Sequence, residues 1–214
     1  AGGSCFGKDI QSLIYQLNHA GRPTDLLRAV YGINEYQKRY LIDRAVHEAH
    51  FKFNQKTVAL LGLSFKKRTN DMRDSAALQV VESLLSRGVH AIRAYDPLAM
   101  DEARRNWFNP EKNYLFERIT YHDSAVEAIR GSDALYISTD WEEFRGLART
   151  IETTVRPPYL VMDGRRMLPD YEALVAAGYD YLPVGGLLLR GKRDESFEPG
   201  DNGHAIVEPV EALQ

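Results

Sequence analysis

From Lys56 onward, short apolar runs alternate with amphipathic stretches, and this alternation constrains the fold more than any other feature of the sequence. Strands that alternate with helices are typical of βαβ units, in which parallel strands form a sheet and helices cover both of its faces. We therefore predict an α/β fold built on a doubly wound parallel sheet. Strands are predicted over residues 57–62, 91–96, 118–121, 134–138, 159–162 and 181–184, and helices over residues 75–86, 99–106, 124–130, 147–155 and 171–177.

Two helices are predicted before the sheet. Apolar residues recur at helical spacing over residues 8–20 and again over residues 24–51, and Gly21-Arg22-Pro23 separates the two stretches. The second stretch is interpreted as a long linking helix. The predicted organisation has three parts, which are a cysteine-containing loop with the linking helices (1–53), the sheet domain (54–186) and a loosely held polar tail (187–214).

The composition excludes several classes of protein. Of the 214 residues, 44% are hydrophobic and 27% are charged, which is typical of a globular protein. The formal net charge is −3, so we predict no nucleic-acid partner and no binding to anionic membranes. No apolar stretch reaches the ~18 residues of a spanning helix, so no membrane segment is predicted. The single cysteine fits a reducing compartment, and we predict a cytoplasmic protein without a metal site.

The single cysteine lies in the segment Gly2-Gly3-Ser4-Cys5-Phe6-Gly7-Lys8-Asp9, immediately before the first predicted helix. A helix N-terminus and a nearby lysine both favour the thiolate, which is the nucleophilic form of a cysteine. Asp9 would lie in the first helical turn, where it could orient a water or act as a base. The alternative is a small buried thiol, and the residues alone favour it, because lone cysteines are usually packing residues.

The loop after the first predicted strand carries four cations, namely Lys66, Lys67, Arg68 and Arg73. A strand-to-helix loop at the carboxyl edge of a parallel sheet is well placed to hold a phosphate. The alternative is a solvated turn in which Asp74 or Ser75 only caps the next helix. From the residues alone, both interpretations stay open.

The same loop lacks the glycine spacing of a dinucleotide site. Gly62 stands alone where G-x-G-x-x-G would be required, and the bulky Leu63 and Phe65 would keep a pyrophosphate away from the backbone. Asp96 ends the second strand, where a ribose-binding acid would stand in a dinucleotide fold. Without the glycines, Asp96 is interpreted as the start of a turn into Pro97.

Paired arginines follow a later strand, in Met162-Asp163-Gly164-Arg165-Arg166. Arginines at a strand's carboxyl end could bind a phosphate or a carboxylate bidentately. The alternative, which stays open, is that one arginine pairs with Asp163 and the other is solvated. Nearby, Asp140 is predicted to cap a helix and Trp141 to pack in the interior.

Five motifs occur in a fixed order along the chain, namely GGSCFxKD, LLGLSFKKRTNDMRDS, YDP, STDWEEF and MDGRR. Together they resemble the rear half of the UDP-glucose 6-dehydrogenase family, which includes GDP-mannose and UDP-N-acetylmannosamine dehydrogenases. The resemblance extends from Gly2 to about Val184, and it reverses the packing interpretation of Cys5. It implies a Rossmann-like sheet domain that binds a UDP-sugar.

Members of this family oxidise a sugar-nucleotide alcohol to the acid in two NAD-dependent hydride transfers. The resemblance implies that Cys5 attacks the intermediate aldehyde, that the thiohemiacetal is oxidised to a thioester, and that water hydrolyses the thioester. The product would be UDP-glucuronate for polysaccharide biosynthesis. The site residues that the resemblance implies are Cys5 and Asp9 for catalysis, Lys8 and Arg73 for the NAD cofactor, and Gly2, Phe65, Lys66 and Arg165 for the substrate.

The resemblance does not include the family's front half, which carries the glycine-rich NAD-binding fold. We expect NAD to bind mainly to that half as a partner of this chain, so these 214 residues alone would not turn over. Family members are usually homo-oligomers. The motifs are closer to those of UDP-glucose enzymes, so UDP-glucose is the expected substrate. GDP-mannose, UDP-N-acetylmannosamine and a non-catalytic nucleotide-sugar-binding module are the alternatives.

Overall fold

The computed structural model describes residues 2–3 and 5–192. Six parallel strands form one sheet in the order β3-β2-β1-β4-β5-β6. The strands are β1 (Thr57–Leu61), β2 (Ala91–Tyr95), β3 (Ile119–Tyr121), β4 (Ala134–Ile137), β5 (Leu160–Asp163) and β6 (Asp180–Pro183). This order is that of a doubly wound sheet, so the predicted α/β fold is confirmed, and the strand order reverses between β1 and β4.

The helices agree with the predicted positions to within a few residues at most ends. They are α1 (Phe6–His19), α2 (Asp25–His47), α3 (Ala76–Ser86), α4 (Met100–Glu102), α5 (Ala125–Ile129), α6 (Leu147–Thr154) and α7 (Tyr171–Ala176). A π-helical turn, Ala103–Trp107, continues α4, and 3₁₀ turns at Tyr114–Arg118 and Glu142–Gly146 have no counterpart in the prediction. Among the described residues, no helix combines the length and the apolar character that crossing a membrane requires.

The predicted extension of the second helix to Phe51 is wrong. α2 ends at His47, and His50 then adopts a left-handed backbone conformation with φ of 54°. This bend turns the chain so that the ring of Phe51 packs on the ring of Phe53, with their centroids 4.9 Å apart. Phe53 is only 3% exposed. Burial of these aromatic rings outweighs one further turn of helix.

The strands are buried because helices cover both faces of the sheet. In β1, Val58 and Leu60 belong to one core cluster, and Ala59 and Leu61 belong to the other. Successive side chains of a strand point to opposite faces, so this short apolar run contributes to two cores at once. The cluster with Val58 includes residues of α2 and α3, whereas the other includes residues of α5, α6 and α7.

The C-terminal half of α2 packs into the same core as the sheet. Leu41, Ile42 and Ala45 are each no more than 3% exposed and belong to one of the two core clusters. Arg44 donates hydrogen bonds to the carbonyl oxygens of Pro183 (2.9 Å) and Gly186 (2.7 Å). The predicted linking helix is therefore attached to the end of β6 and to the turn that follows it.

The prediction of a loose tail is wrong for residues 187–192. Leu189 forms an antiparallel bridge with Tyr181 of β6, and the amide of Gly191 donates to the Asp180 carboxylate over 2.9 Å. Leu188 also packs against the core. β6 is an edge strand with unpaired backbone groups, and this segment satisfies some of them. The rest of the predicted tail, 193–214, lies outside the described residues.

Candidate functional site

A cleft of about 180 Å³ opens at the carboxyl ends of β4, β5 and β6, beside the loop that follows β1. Sheets with this strand order bind ligands at this edge. The cleft is lined by Gly2, Asn34, Gln37, Lys38, Tyr40, Leu41, Phe65, Ala76, Tyr136, Ser138, Gly164, Arg165 and Val184. Three of the residues predicted to bind substrate, Gly2, Phe65 and Arg165, therefore meet in one cleft. The fourth, Lys66, is next to it, with its ammonium 5.2 Å from the centre of the Phe65 ring.

Gly2 and Gly3 lie directly against the loop that joins β1 to α3. The Gly3 amide donates to the carbonyl of Arg73 over 3.1 Å. A Cβ atom on Gly2 would lie 2.6 Å from the carbonyl oxygen of Asp74, and one on Gly3 would lie 2.9 Å from the Phe65 ring. Gly3 also has a φ of +92°, which other residues rarely adopt. Both glycines are therefore required by close contact with the loop.

Cys5 occupies the N-cap position of α1 and is exposed. In this chain the thiol is therefore not buried in the core, unlike in the alternative of a small packing thiol. The carbonyl of Cys5 accepts from the amide of Asp9 over 2.9 Å, so Asp9 lies one helical turn after the cysteine, as predicted. Lys8 and Asp9 are exposed as well. The thiol thus lies at a helix N-terminus, where the helix dipole favours a negative charge.

The cations of the β1–α3 loop have different partners. The ammonium of Lys67 lies 3.0 Å from the Glu142 carboxylate, and the guanidinium of Arg68 contacts the same carboxylate. Arg73 pairs with Asp71 over 2.7 Å, within the loop. Lys66 is exposed and rests over an aromatic ring. The four cations predicted as one phosphate site are therefore not equivalent, because two of them are bound by a neighbouring turn.

Asp96 starts the turn after β2, as predicted, because its Oδ1 accepts the amides of Leu98 and Ala99. Its Oδ2 also accepts the amides of Leu63 and Ser64 over 2.7 and 3.1 Å, together with the indole N–H of Trp141. In a dinucleotide fold, amides of this loop face the pyrophosphate. In this chain the amides of Leu63 and Ser64 donate to the carboxylate of Asp96 instead.

Thr139 packs against the start of the same loop, next to Gly62. A Cβ atom on Gly62 would lie 2.5 Å from the Cβ of Thr139, and the Thr139 hydroxyl donates to the carbonyl of Ser64 over 2.6 Å. The described residues therefore do not form an NAD site at the switch point. The two residues predicted to contact NAD, Lys8 and Arg73, are exposed cations away from these amides.

Arg165 is directed into the cleft by its backbone and by its side chain. The Arg165 amide donates to Oδ1 of Asp163 over 3.0 Å, and its Nε donates to the carbonyl of Ser138 over 2.7 Å. Oδ2 of Asp163 accepts the amides of Met167 and Leu168 and the hydroxyl of Tyr181. The Asp163 carboxylate thus binds backbone amides and a tyrosine, and the alternative in which an arginine side chain pairs with Asp163 is wrong.

The capping predictions have mixed outcomes. Ser75 caps α3, because its hydroxyl accepts the Ala77 amide over 3.2 Å. The prediction that Asp140 caps a helix is wrong, since Trp141 occupies the cap position of the following 3₁₀ turn without a side-chain bond. Asp140 instead lies 3.9 Å from the ammonium of Lys67. Trp141 is 7% exposed and packs in the interior as predicted.

In residues 2–3 and 5–192, no group of three or more His, Cys, Asp or Glu side chains could hold a metal.

One element of the cleft is missing from the sequence-based prediction. The side chain of Lys38, on α2, is 5% exposed and pairs with the carboxylates of Glu35 (2.7 Å) and Asp74. Burial by itself lowers the pKa of Lys38, but the hydrogen bonds that its ammonium donates to Asp74 and Glu35 outweigh it, so the pKa is raised. Burial likewise raises the pKa of Glu35, and Lys38 more than reverses that, so the pKa is lowered. A lysine three residues before the buried Leu41 is the signal that could have revealed the pair.

These shifts predict how stability depends on pH. Glu35 stabilises the fold above its ordinary pKa of 4.5, and this contribution is lost as the pH falls through its lowered folded value. Lys38 stabilises the fold below its ordinary pKa of 10.5, and this contribution is lost as the pH rises through its raised folded value. The loss of unfolding free energy in Lys38→Met should therefore be largest between pH 4.5 and 10.5. Urea titrations at several pH values measure it, with the exposed Arg39→Met as control. A loss that does not change with pH would contradict this assignment.

Comparison with known proteins identifies the family. A sequence profile described as the UDP-glucose/GDP-mannose dehydrogenase family, UDP binding domain, matches residues 59–170. The chain belongs to this family. The match contains Phe65, Lys66, Arg73 and Arg165, and the resemblance based on the five motifs is confirmed.

Relatives of this dehydrogenase family cover nearly the whole chain. UDP-glucose 6-dehydrogenase TuaD of Bacillus subtilis is 33% identical over 93% of this chain and 41% of its own length. A UDP-glucose 6-dehydrogenase of Pseudomonas aeruginosa is 36% identical over 86% of this chain and 40% of its own. The structure of a UDP-glucose dehydrogenase from Pyrobaculum islandicum matches with a TM-score of 0.64 at 29% identity, over 78% of this chain and 34% of that one. The chain thus spans about two fifths of the length of the curated relatives.

Proposed function

We propose that this chain is the substrate-binding and thiol-bearing part of an NAD-dependent dehydrogenase that oxidises UDP-glucose to UDP-glucuronate. The observation that carries the proposal is the placement of Cys5. Its exposed thiol stands at the start of α1, two residues after Gly3, and the glycines before it pack on the loop of Phe65; Gly2 also lines the cleft that contains Arg165. A nucleophile next to a cleft with cations is the arrangement that oxidation of a bound nucleotide sugar requires.

The cleft offers complementary groups for a nucleotide sugar. Arg165 and Lys66 present two cations for the diphosphate, and the Phe65 ring presents an apolar face. Gly2 lacks a side chain, so a sugar can approach its backbone closely. Lys67 and Arg68 are paired with Glu142 and are therefore not assigned to the substrate.

In the proposed reaction, Cys5 acts once the alcohol has become an aldehyde. Its thiolate attacks the carbonyl carbon, so that a C–S bond forms and the carbonyl oxygen takes up a proton. After this adduct has lost a hydride and a proton, the product is a thioester. Asp9 accepts one proton from the water that attacks the thioester, and cleavage of the C–S bond regenerates the thiolate and leaves the carboxylic acid, which loses the second proton of that water to solvent to become the carboxylate. NAD, when bound, accepts the two hydrides that the two oxidations release.

Because the described residues do not form an NAD site, turnover requires an NAD-binding half. The proposed partners are this half of the same enzyme, with which Lys8 and Arg73 would complete the cofactor site, and further copies in a homo-oligomer.

The proposal is tested by NADH release from a polypeptide that joins this chain to an upstream NAD-binding half. UDP-glucose, GDP-mannose and UDP-N-acetylmannosamine are offered in turn, and the NADH formed is counted by its absorbance against the nucleotide sugar consumed. We expect two NADH per UDP-glucose. Two NADH from another sugar and none from UDP-glucose would reassign the substrate. No NADH from any of the three, with UDP-sugars still bound, would favour a binding module.

Adjacent arginines allow a sharp test of substrate binding. Arg165 lines the cleft and is oriented by Ser138, whereas Arg166 is absent from the cleft lining. Loss of a charge-assisted contact to a phosphate costs about 1.5–3 kcal/mol, so Arg165→Ala should weaken UDP binding by roughly 10- to 150-fold. Arg166→Ala is the matched control and should change binding less than about threefold. Isothermal titration calorimetry with UDP measures both, and equal effects in the two variants would contradict the assignment.

A further inference from the structure

The buried ion pair between Lys38 and Asp74 joins two elements that meet behind the cysteine segment. Lys38 belongs to α2, and Asp74 is in the last part of the β1–α3 loop. The Lys38 side chain is 5% exposed, and that of Asp74 is 31% exposed. Buried charges are retained only when they are paired, and the Lys38 ammonium is paired with Asp74 across the two elements and with Glu35 on its own helix.

Asp74 adopts a left-handed backbone conformation. Its φ is 56°, in a region that aspartate and asparagine enter more readily than most residues. Side-chain contacts on both sides of Asp74 accompany this turn. The contacts here are the ion pair with Lys38 on one side of Asp74 and the capping hydroxyl of Ser75 on the other.

The backbone of residues 73 and 74 lies against the glycines that precede Cys5. The carbonyl of Arg73 accepts the Gly3 amide, and the carbonyl oxygen of Asp74 lies 2.6 Å from the position of a Cβ atom on Gly2. Oδ2 of Asp74 lies 3.7 Å from the position of a Cβ atom on Gly7, in the first turn of α1. Asp74 therefore lies close to the chain on both sides of Cys5.

We propose that Lys38 and Asp74 are positioning residues for Cys5. The ion pair fixes the backbone of residues 73–74, and this backbone fixes the glycines before the nucleophile and the helical turn after it. The inference rests on the proposed function, because it assigns the pair a role in the step that Cys5 performs. Neither residue contacts the reacting atoms.

The proposed positioning role predicts which of the two oxidation steps becomes slower when the ion pair is broken. Cys5 takes part in the oxidation of the aldehyde and not in that of the alcohol. A displacement of a reacting group by about 1 Å can cost roughly 100-fold in rate. Lys38→Met should therefore slow NADH release from the UDP-sugar aldehyde at least tenfold more than it slows the first NADH release from UDP-glucose. The KM for UDP-glucose is measured alongside, because Lys38 also lines the cleft, and any loss of substrate binding then affects both steps alike.

The experiment compares four variants of the polypeptide that includes the NAD-binding half. Lys38→Met breaks the pair, and Asp74→Asn removes the charge with a residue that tolerates left-handed backbone. Lys38→Arg restores a cation and should recover most of the aldehyde rate. Lys56→Met is the matched control, because it breaks the Lys56–Asp133 pair near the start of β1. Single-turnover rates for the alcohol and the aldehyde are measured separately.

A second measurement keeps this inference separate from the proposed function. Amide hydrogen exchange of Gly3, followed by NMR in the 214-residue chain, reports its bond to Arg73 without any turnover. We expect exchange at least tenfold faster in Lys38→Met and unchanged in Lys56→Met. Faster exchange of the Gly3 amide in Lys38→Met, together with no NADH release by the polypeptide that includes the NAD-binding half, would support the effect of the ion pair on this backbone and reject the dehydrogenase function. Unchanged exchange, or equal loss of both oxidation rates, would overturn the positioning role.

Discussion

Replacing Cys5 by serine is expected to eliminate the second NADH while leaving release of the first. A serine hydroxyl is almost fully protonated near neutral pH and is a far weaker nucleophile than a thiolate. Loss of an essential nucleophile typically costs ~1,000-fold or more in rate. The aldehyde oxidation should fall by at least that factor, and the stoichiometry per UDP-glucose should drop from two NADH towards one. Stopped-flow absorbance with the NAD-binding half present resolves the two steps.

The chain offers an independent control for this experiment. Cys5 is the only cysteine among these 214 residues, so peptide mapping after treatment with iodoacetamide identifies the alkylation of this thiol. We expect rapid alkylation of the intact enzyme near neutral pH and protection by UDP-glucose. A Cys5→Ser variant that still releases two NADH per UDP-glucose would show that Cys5 is not the nucleophile. Slow alkylation of Cys5 that UDP-glucose does not reduce further would favour a non-catalytic module.

Replacing Asp96 by alanine is expected to have the largest effect on stability. The carboxylate accepts the backbone amides of Leu63, Ser64, Leu98 and Ala99, together with the Ser64 hydroxyl and the Trp141 indole. Asp96 is 1% exposed, so water cannot replace these contacts without opening the domain. Leaving several buried donors unpaired should lower the unfolding free energy by about 3–5 kcal/mol, which urea denaturation measures.

Asp140 provides the matched control for Asp96. It follows β4, the strand on the other side of β1, but its side chain is 44% exposed and its cation partner is 3.9 Å away. Asp140→Ala should therefore change the unfolding free energy by no more than ~0.5 kcal/mol. Asp96→Asn keeps one carbonyl acceptor and should fall between the two. A loss below ~1 kcal/mol in Asp96→Ala would mean that the loop amides are satisfied in another way.

Much of the fold could be predicted because the strands are local apolar runs. Residues 57–61 are apolar at nearly every position, as a strand buried on both faces requires, and this run is recognisable without its neighbours. The left-handed residue His50 and the bridge at Leu189 were not predictable in this way. The first depends on the aromatic packing of Phe51 on Phe53, and the second on the free edge of β6.

The site was predictable to the extent that its residues stand at strand ends. Phe65 follows β1 and Arg165 follows β5, and parallel strands bring such residues to one edge of the sheet. The partners of those residues were not predictable. Nothing in the sequence indicates that Lys67 binds Glu142 while Lys66 does not, or that Asp163 binds backbone amides rather than an arginine. Such pairings depend on distances that only the folded chain defines.

The sequence by itself determined the class of fold, the edge of the sheet that carries the cleft, and a cysteine at the start of a helix. These follow from local periodicity and from the rule that parallel strands end on the same side. Only the tertiary structure decided that Asp96 fills the amides that a dinucleotide would need, and that Lys38 reaches Asp74 behind the glycines of the cysteine segment. The physical reason is that both contacts join residues more than thirty positions apart, whose proximity arises when helices and loops pack on the completed sheet.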